Sequence, residues 1–266
     1  KYIDSAWTQL GADIDGEAAG DLSGYSVSLS SDGTIVAIGA LFNDGTASRA
    51  GHVRVYQYDG VENTWDKLGN DIDGGARDDW FGYSVSLSSD GTTVAIGAFH
   101  NNGSDNDAGH VRVYQYNGVT TWDKLGNDIN GENPGDLSGY SVSLSSDGTI
   151  VAIGAPNNLY NPGHVRVYQY DVLDDTWDKL GADIDGEAAG DNSGQSVSLS
   201  SDGTIVAIGA PEADIGNYAG HVRVYKYNGS AWTKLGDDID GEAAGDKSGW
   251  SVSLSSDGTT LAIGAP

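Results

Sequence analysis

The sequence predicts an all-β protein: a β-propeller of four-stranded antiparallel blades. Three observations carry this. The phrase Tyr-Ser-Val-Ser-Leu-Ser-Ser-Asp-Gly-Thr, followed by an apolar run ending Ala-Ile-Gly-Ala, starts at Tyr25, Tyr83, Tyr140, Gln195 and Trp250, a period of 55–58 residues. Gly-His-Val-Arg-Val-Tyr starts at Gly51, Gly109, Gly163 and Gly220, and Trp-x-x-Leu-Gly at Trp7, Trp65, Trp122, Trp177 and Trp232. No segment carries an apolar stripe of period 3.6, so no helix is expected. A fixed period of this length marks a repeat architecture, and four short strands per period describe a propeller blade. A β-helix needs far shorter rungs, and a sandwich does not need near-identical units.

Each element has a local reason. Tyr25-Ser-Val-Ser-Leu-Ser30 alternates large and small residues, the period of a strand with Tyr25, Val27 and Leu29 on one face. Its small serine face lets inner strands crowd together near a ring axis. Ser31-Asp32-Gly33 supplies a tight turn. Thr34 to Gly39 is a second strand, apolar enough for burial on both faces. A variable loop leads to the third strand, His52 to Tyr58, and an Asp/Asn/Gly turn to a fourth that starts at Trp65.

Phe81-Gly-Tyr-Ser-Val, followed by Val-Ala-Ile-Gly-Ala, resembles the FG-GAP repeat of the integrin α-subunit propeller. The Gly-Ala-Pro ending is complete at Gly154-Ala155-Pro156, Gly209-Ala210-Pro211 and Gly264-Ala265-Pro266. Only Phe81-Gly82 keeps the Phe-Gly pair; elsewhere the chain has Ser-Gly, as at Ser23-Gly24. The resemblance covers the whole chain and is similar to FG-GAP-like arrays in secreted or surface proteins of algae and bacteria. It implies a propeller fold and an extracellular setting; it does not choose among the many activities that propellers host.

The frame is cut mid-blade. Lys1-Tyr-Ile-Asp-Ser-Ala-Trp7 aligns with Lys226-Tyr-Asn-Gly-Ser-Ala-Trp232. Four complete blades follow, at about 25–71, 83–128, 140–183 and 195–238, with a fifth split between 250–266 and 1–13. Either the termini meet in a five-bladed ring, or the chain is a window on a larger propeller. The second is favoured, because a strand missing from a closed ring leaves unpaired backbone.

Composition narrows the function. A net charge of −26 argues against nucleic acid and anionic membranes, and no apolar run approaches a membrane span. The charge suits a solvated surface or bound cations. Without cysteine, disulfides cannot hold the fold, and without methionine the chain is expected to be processed or part of something longer.

Strand direction places the second-to-third loops and the blade-to-blade crossovers on one face. The crossovers are acidic: Asp13, Asp15, Glu17 and Asp21; Asp71, Asp73 and Asp79; Asp128, Asn130, Glu132 and Asp136; Asp183, Asp185, Glu187 and Asp191; Asp238, Asp240, Glu242 and Asp246. Carboxylates at offsets 1, 3, 5 and 9 suggest a calcium loop, although the glycine positions are not those of an EF-hand. The competing reading is an Asx-rich turn satisfying its own backbone. The variable loops carry Phe42, Phe99, His100, Tyr160 and Tyr218. Exposed aromatics on a rigid scaffold suit a protein or glycan partner. Asn102 and Asn228 stand in N-glycosylation sequons. His52, His110, His164 and His221 recur at strand starts and are read as structural, as are the five tryptophans.

No serine has a distinct His/Asp set, and a catalytic site normally breaks repeat symmetry, so no enzymatic activity is expected. The reading is an extracellular adhesion or structural module that meets a protein or glycan through its loop face. The alternatives are a multivalent lectin, or the accessory propeller of a polysaccharide-processing enzyme.

Overall fold

The computed structural model describes residues 1–3, 5–101, 107–156, 161–213 and 217–266, and among these it is all-β. Blade one consists of Ser23–Leu29, Ile35–Ala40, His52–Asp59 and Thr64–Lys67. Blade two consists of Ser84–Leu87, Thr93–Ala98, His110–Tyr116 and Trp122–Asn130. Blade three consists of Ser141–Leu144, Ile150–Ala155, His164–Asp171 and Thr176–Lys179. Blade four consists of Ser196–Leu199, Ile205–Ala210, His221–Tyr227 and Trp232–Lys234. In each, the strands pair in chain order and antiparallel. A C-terminal pair, Ser251–Leu254 with Leu261–Gly264, and an N-terminal hairpin, Tyr2–Ile3 with Ala6–Trp7, flank the four.

The fourth strand differs from its sequence reading. In blades one, three and four it breaks, and a short piece (Ile72–Asp73, Ile184–Asp185, Ile239–Asp240) returns to the third strand. Blade two keeps one strand but shifts register between Val111 and Val113. At the corresponding bend a glycine sits at positive φ: Gly69 is at +78°, and a Cβ there would lie 3.0 Å from Trp122 Cδ1 of the next blade.

The core lies between blades. Ile35, Ala37, Val53 and Val55 of blade one pack with Phe81, Leu87, Val94 and Ile96 of blade two, and similar clusters join blades two to three and three to four. Fully burying one such side chain contributes about 1.5–3 kcal/mol. Every residue of Ile35–Ala40 is buried, as the apolar second strand predicts.

Each junction also carries the same directional hydrogen bonds. Ser26 Oγ donates to the Gly82 carbonyl of the next blade (2.6 Å), and Leu87 N–H donates back to Ser28 Oγ (2.9 Å). Ser31 N–H donates to Ser89 O (2.9 Å). Trp65 Nε1 donates to Leu10 O, Trp122 to Leu68, Trp177 to Leu125 and Trp232 to Leu180, at 2.8–2.9 Å. The tryptophans therefore lock neighbouring blades together. Gly97 permits a close approach: a Cβ there would overlap Ser84 Oγ and the carbonyl of Gly139.

Candidate functional site

The loops and crossovers do share one face. Asn43 Nδ2 donates to Asp21 Oδ2 and Asn101 Nδ2 to Asp79 Oδ1, each at 2.9 Å, and Thr46 Oγ1 donates to Gly74 O at 2.6 Å. On this face the lead residues of adjacent repeated phrases meet. Tyr25 and Tyr83 lie 5.1 Å apart between ring centroids, Tyr83 and Tyr140 4.9 Å, and Gln195 Nε2 donates to Tyr140 Oη at 3.1 Å. Phe99 backs the row, 4.4 Å from Tyr83 and 5.2 Å from Tyr140, and Trp80 joins Phe99 to Phe42. Tyr25 and Trp250 leave about half their surface in solvent, 52% and 46%. Burial, then hydrogen bonds with Tyr140 and Tyr25, push the Tyr83 phenol well above its ordinary pKa, so it stays a neutral hydroxyl.

This aromatic row is what the sequence reading missed. The signal was present: the lead position changes from Tyr to Gln to Trp where the neighbouring Ser-Val-Ser-Leu does not change at all. The loop aromatics need a correction. Phe99 is buried at 6% exposure and supports the row instead of facing solvent. His100 stacks edge-on against Trp80 at 4.1 Å, with Nδ1 2.9 Å from Asp107 Oδ1. Phe42 is half-buried, and Tyr218 is exposed at 46%. Tyr160 and Asn102 lie outside the described residues. Asn228 is exposed, and its Oδ1 accepts from Ser230 and Ala231 in a tight turn.

The acidic crossovers divide by offset. At offset 1, Asp71, Asp128 and Asp238 each accept from the Arg of their own third strand (Arg54, Arg112, Arg223) at 2.8–3.0 Å. Asp183 stands 3.5 Å from Arg166. Lys67, Lys124, Lys179 and Lys234 add a second cation to the same four carboxylates. Burial pushes Asp128 upward, but hydrogen bonds from Arg112 and Lys124 prevail and hold it near 2. At offset 5, Glu17, Glu132 and Glu187 reach forward to Arg54, Arg166 and Arg223 of the following blade. Gly75 occupies that position in blade two, where Arg112 instead lies 5.9 Å from the Phe81 ring. At offset 9, Asp79, Asp136 and Asp191 are buried and accept backbone N–H groups of their own turns; Asp246 does so half-buried, and Asp21 accepts from Asn43. At offset 3, Asp73, Asp185 and Asp240 stand opposite His52, His164 and His221 in the ladder, and Asn130 opposite His110. Asp13 accepts from Gln9, while Asp15 and Glu242 are exposed.

This arrangement does not fit calcium. Among the described residues, three His or carboxylate ligands converge only at Glu17, His52 and Asp71 and at His221, Asp238 and Asp240. An arginine already neutralises each group: Arg54 between Glu17 and Asp71, and Arg223 on Asp238. Most offset-1, offset-5 and offset-9 carboxylates are taken up by Arg, Lys and backbone donors, not gathered into a cage of six to eight oxygens. The histidines are 1–7% exposed at His52, His110 and His221. Burial, then the neighbouring arginine, lowers the pKa of each, His110 to about 4.

Residues 72–114 match the FG-GAP repeat family. No curated protein matches the sequence. Among solved structures, the chain is similar to the periplasmic gluconolactonase PpgL of Pseudomonas aeruginosa, with a TM-score of 0.61 and 17% identity over 90% of this chain and 64% of that one. It is similar to a protein described as a 6-phosphogluconolactonase from Bacteroides uniformis, with a TM-score of 0.52 and 13% identity over 90% and 77%. It is also similar to the hydrazine synthase of Kuenenia stuttgartiensis, with a TM-score of 0.56 and 15% identity over 90% and 61%. The chain thus spans under two thirds of the gluconolactonase and of the synthase. These likenesses identify the fold, and with the repeat match they make the chain an FG-GAP-like β-propeller. They also correct the expectation of no enzymatic activity. Similar propellers are named as lactonases, so unbroken repeat symmetry is no ground for excluding catalysis. No helix among the described residues is long and apolar enough to cross a membrane.

Proposed function

We propose that this FG-GAP-like β-propeller is an extracellular carbohydrate-binding module that takes a sugar ring at the axial mouth of its loop face. The observation that carries this reading is the Tyr25–Tyr83–Tyr140 row, continued by Gln195, with Trp250 at the equivalent position of the last repeated phrase. Aromatic faces suit the apolar face of a pyranose, and neutral phenol and amide groups suit its hydroxyls. The partly exposed rings of Tyr25 and Trp250 are the contact points. Because the lead residues differ between blades, the mouth favours one axial site over one equal site per blade. Asp71, Asp128, Asp183 and Asp238 are paired with Arg and Lys, and Asp79, Asp136 and Asp191 with backbone donors, so these carboxylates frame the site.

The test is titration of the chain with neutral oligosaccharides and with glucono-lactone, followed by tryptophan fluorescence and calorimetry. Binding at one site per chain, lost in Tyr25→Ala and Trp250→Ala, is the expected result. Several equal sites, or binding unchanged in both variants, defeats the axial reading. The lactonase names of two structural neighbours favour a second reading, in which the same mouth takes a sugar lactone for hydrolysis. Acid release from glucono-lactone that is lost in the same variants supports it.

A further inference from the structure

Arg54, Arg112 and Arg223 fork onto the offset-1 aspartate of their own blade at 2.8–3.0 Å. Arg166, their counterpart in blade three, does not. Its Nη2 stands 3.4 Å from Asp136 and 3.5 Å from Glu132, and its Nη1 donates to Asn130 O at 3.5 Å. Its Nε lies 3.5 Å from Asp183 Oδ2 and has no hydrogen-bond partner among the described residues. Yet Arg166 has the most buried side chain of the four, at 3% exposure. A buried donor left unpaired carries the full desolvation cost of the group, so this N–H calls for an acceptor.

The same arginine lines a cavity of about 200 Å³ at the start of the third strand. Arg166 and Asp136 form its buried floor, and Glu132, Asn133, Asn161 and Asp185 stand exposed at its rim. His164 lines it too, and its Nε2 likewise has no partner among the described residues. Burial, then Arg166, lowers the pKa of His164, which leaves the imidazole neutral. Proline stiffens both walls. Pro134 stands where other crossovers have Ala19, Ala189 and Ala244, and Pro162 where the other loops have Ala50, Ala108 and Ala219. A wall fixed in advance lowers the ordering cost of binding.

The charges choose the ligand. Glu132, Asp136, Asp183 and Asp185 repel an anion. Arg166 in the floor repels a cation, and these carboxylates do not converge on one point as metal ligands would. A neutral group that both accepts and donates fits: a hydroxyl takes a hydrogen bond from a guanidinium N–H and gives its own proton to a carboxylate. Two adjacent hydroxyls use the floor and the rim together. Pockets that enclose a whole drug-sized ligand run to about 300–1,000 Å³, so this one admits the edge of a ring and not an entire oligosaccharide.

We propose that this cavity binds the vicinal-diol edge of a sugar, with Arg166 Nε–H donating to one ring hydroxyl and the hydroxyl protons going to Asp185 and Glu132. It is a second site, off the axis, and it does not rest on the axial reading. The mouth takes a ring face on aromatic side chains; this cavity takes a ring edge on charged ones.

The chain has six arginines, so isotope labelling of arginine nitrogen gives a small set of Nε–H resonances in the whole protein. The Arg166 signal is assigned by through-bond correlation and checked with Arg166→Lys. Titration with glucose should shift it saturably and leave the other arginine signals in place. Tyr25→Ala should not alter that shift. Asp185→Asn should fold, because Asn130 holds the equivalent position in blade two, and should weaken binding about fivefold, since an amide accepts a hydrogen bond less strongly than a carboxylate. A shift that glycerol reproduces keeps the diol and widens its source to open-chain polyols. No saturable shift of the Arg166 signal, an equal shift with methanol, or one lost in Tyr25→Ala overturns the proposal. So does an affinity unchanged in Asp185→Asn.

Discussion

Acidification should destabilise this fold through its buried histidines, and His110 gives the measurable case. It is 1% exposed, its Nε2 has no hydrogen-bond partner, and burial together with Arg112 lowers its pKa from 6.5 to about 4. Between these two values the unfolded chain holds a proton that the folded chain refuses. Stability therefore falls as the pH drops from 6.5 toward 4, and below that both states are protonated and the loss is complete. A shift of this size, at about 1.4 kcal/mol per unit, corresponds to roughly 3 kcal/mol. His52, His164 and His221 act in the same direction, and buried Asp79, whose pKa burial raises, acts in the opposite one. The clean quantity is a difference. Urea denaturation of the wild type and His110→Gln, followed by tryptophan fluorescence at pH 7.5 and pH 4, should show the variant gaining on the wild type by about 3 kcal/mol as the pH falls. A gap that does not change with pH would refute the argument that His110 is held neutral by burial.

Three further outcomes follow from the junctions. Trp122→Phe loses the bond to Leu68 O and should cost about 1 kcal/mol in thermal melts, whereas Trp7→Phe, at 83% exposure, should cost nothing measurable. Gly97→Ala should be among the most damaging single changes, because its Cβ overlaps a neighbouring blade's carbonyl; Gly264→Ala meets only Ser251 and should be mild, which soluble expression and melting of the pair will check. Calcium chloride should shift the melting temperature no more than sodium chloride of equal ionic strength, and a calcium-specific rise would reopen the crossover loops as metal sites.

Much of the fold was legible because its determinants are local. The turn at Ser30–Thr34 is closed by Asp32, which accepts from Ser30, Thr34 N–H and Thr34 Oγ1 within five residues. The alternation of Tyr25, Val27 and Leu29 and the apolar second strand likewise needed no partner to be recognised. What escaped depends on residues distant in the chain. Gly69 lies against Trp122 of the next blade, and nothing near Gly69 in the sequence announces that. The acidic crossovers looked like a cation cage because spacing along the chain hides the arginines that consume them; Glu17 meets Arg54, not Asp21. Phe99 looked like a ligand contact until the fold placed it behind Tyr83 and Tyr140.

The one-way hydrogen bonds between blades have a consequence for how such a chain can change. Ser26 to Gly82, Ser84 to Gly139, Ser141 to Gly194 and Ser196 to Gly249 are the same bond made four times between interchangeable units. Deleting or duplicating one whole period preserves this serine–glycine bond at the splice, while junction-specific contacts such as Gln195 to Tyr140 change. Near-identical segments of this length are suited to gain or loss of a whole blade, because the serine–glycine bond re-forms between any two copies. Copy number is thus open to rapid adjustment, while the lead residues at Tyr25, Gln195 and Trp250 can diverge independently to retune the mouth.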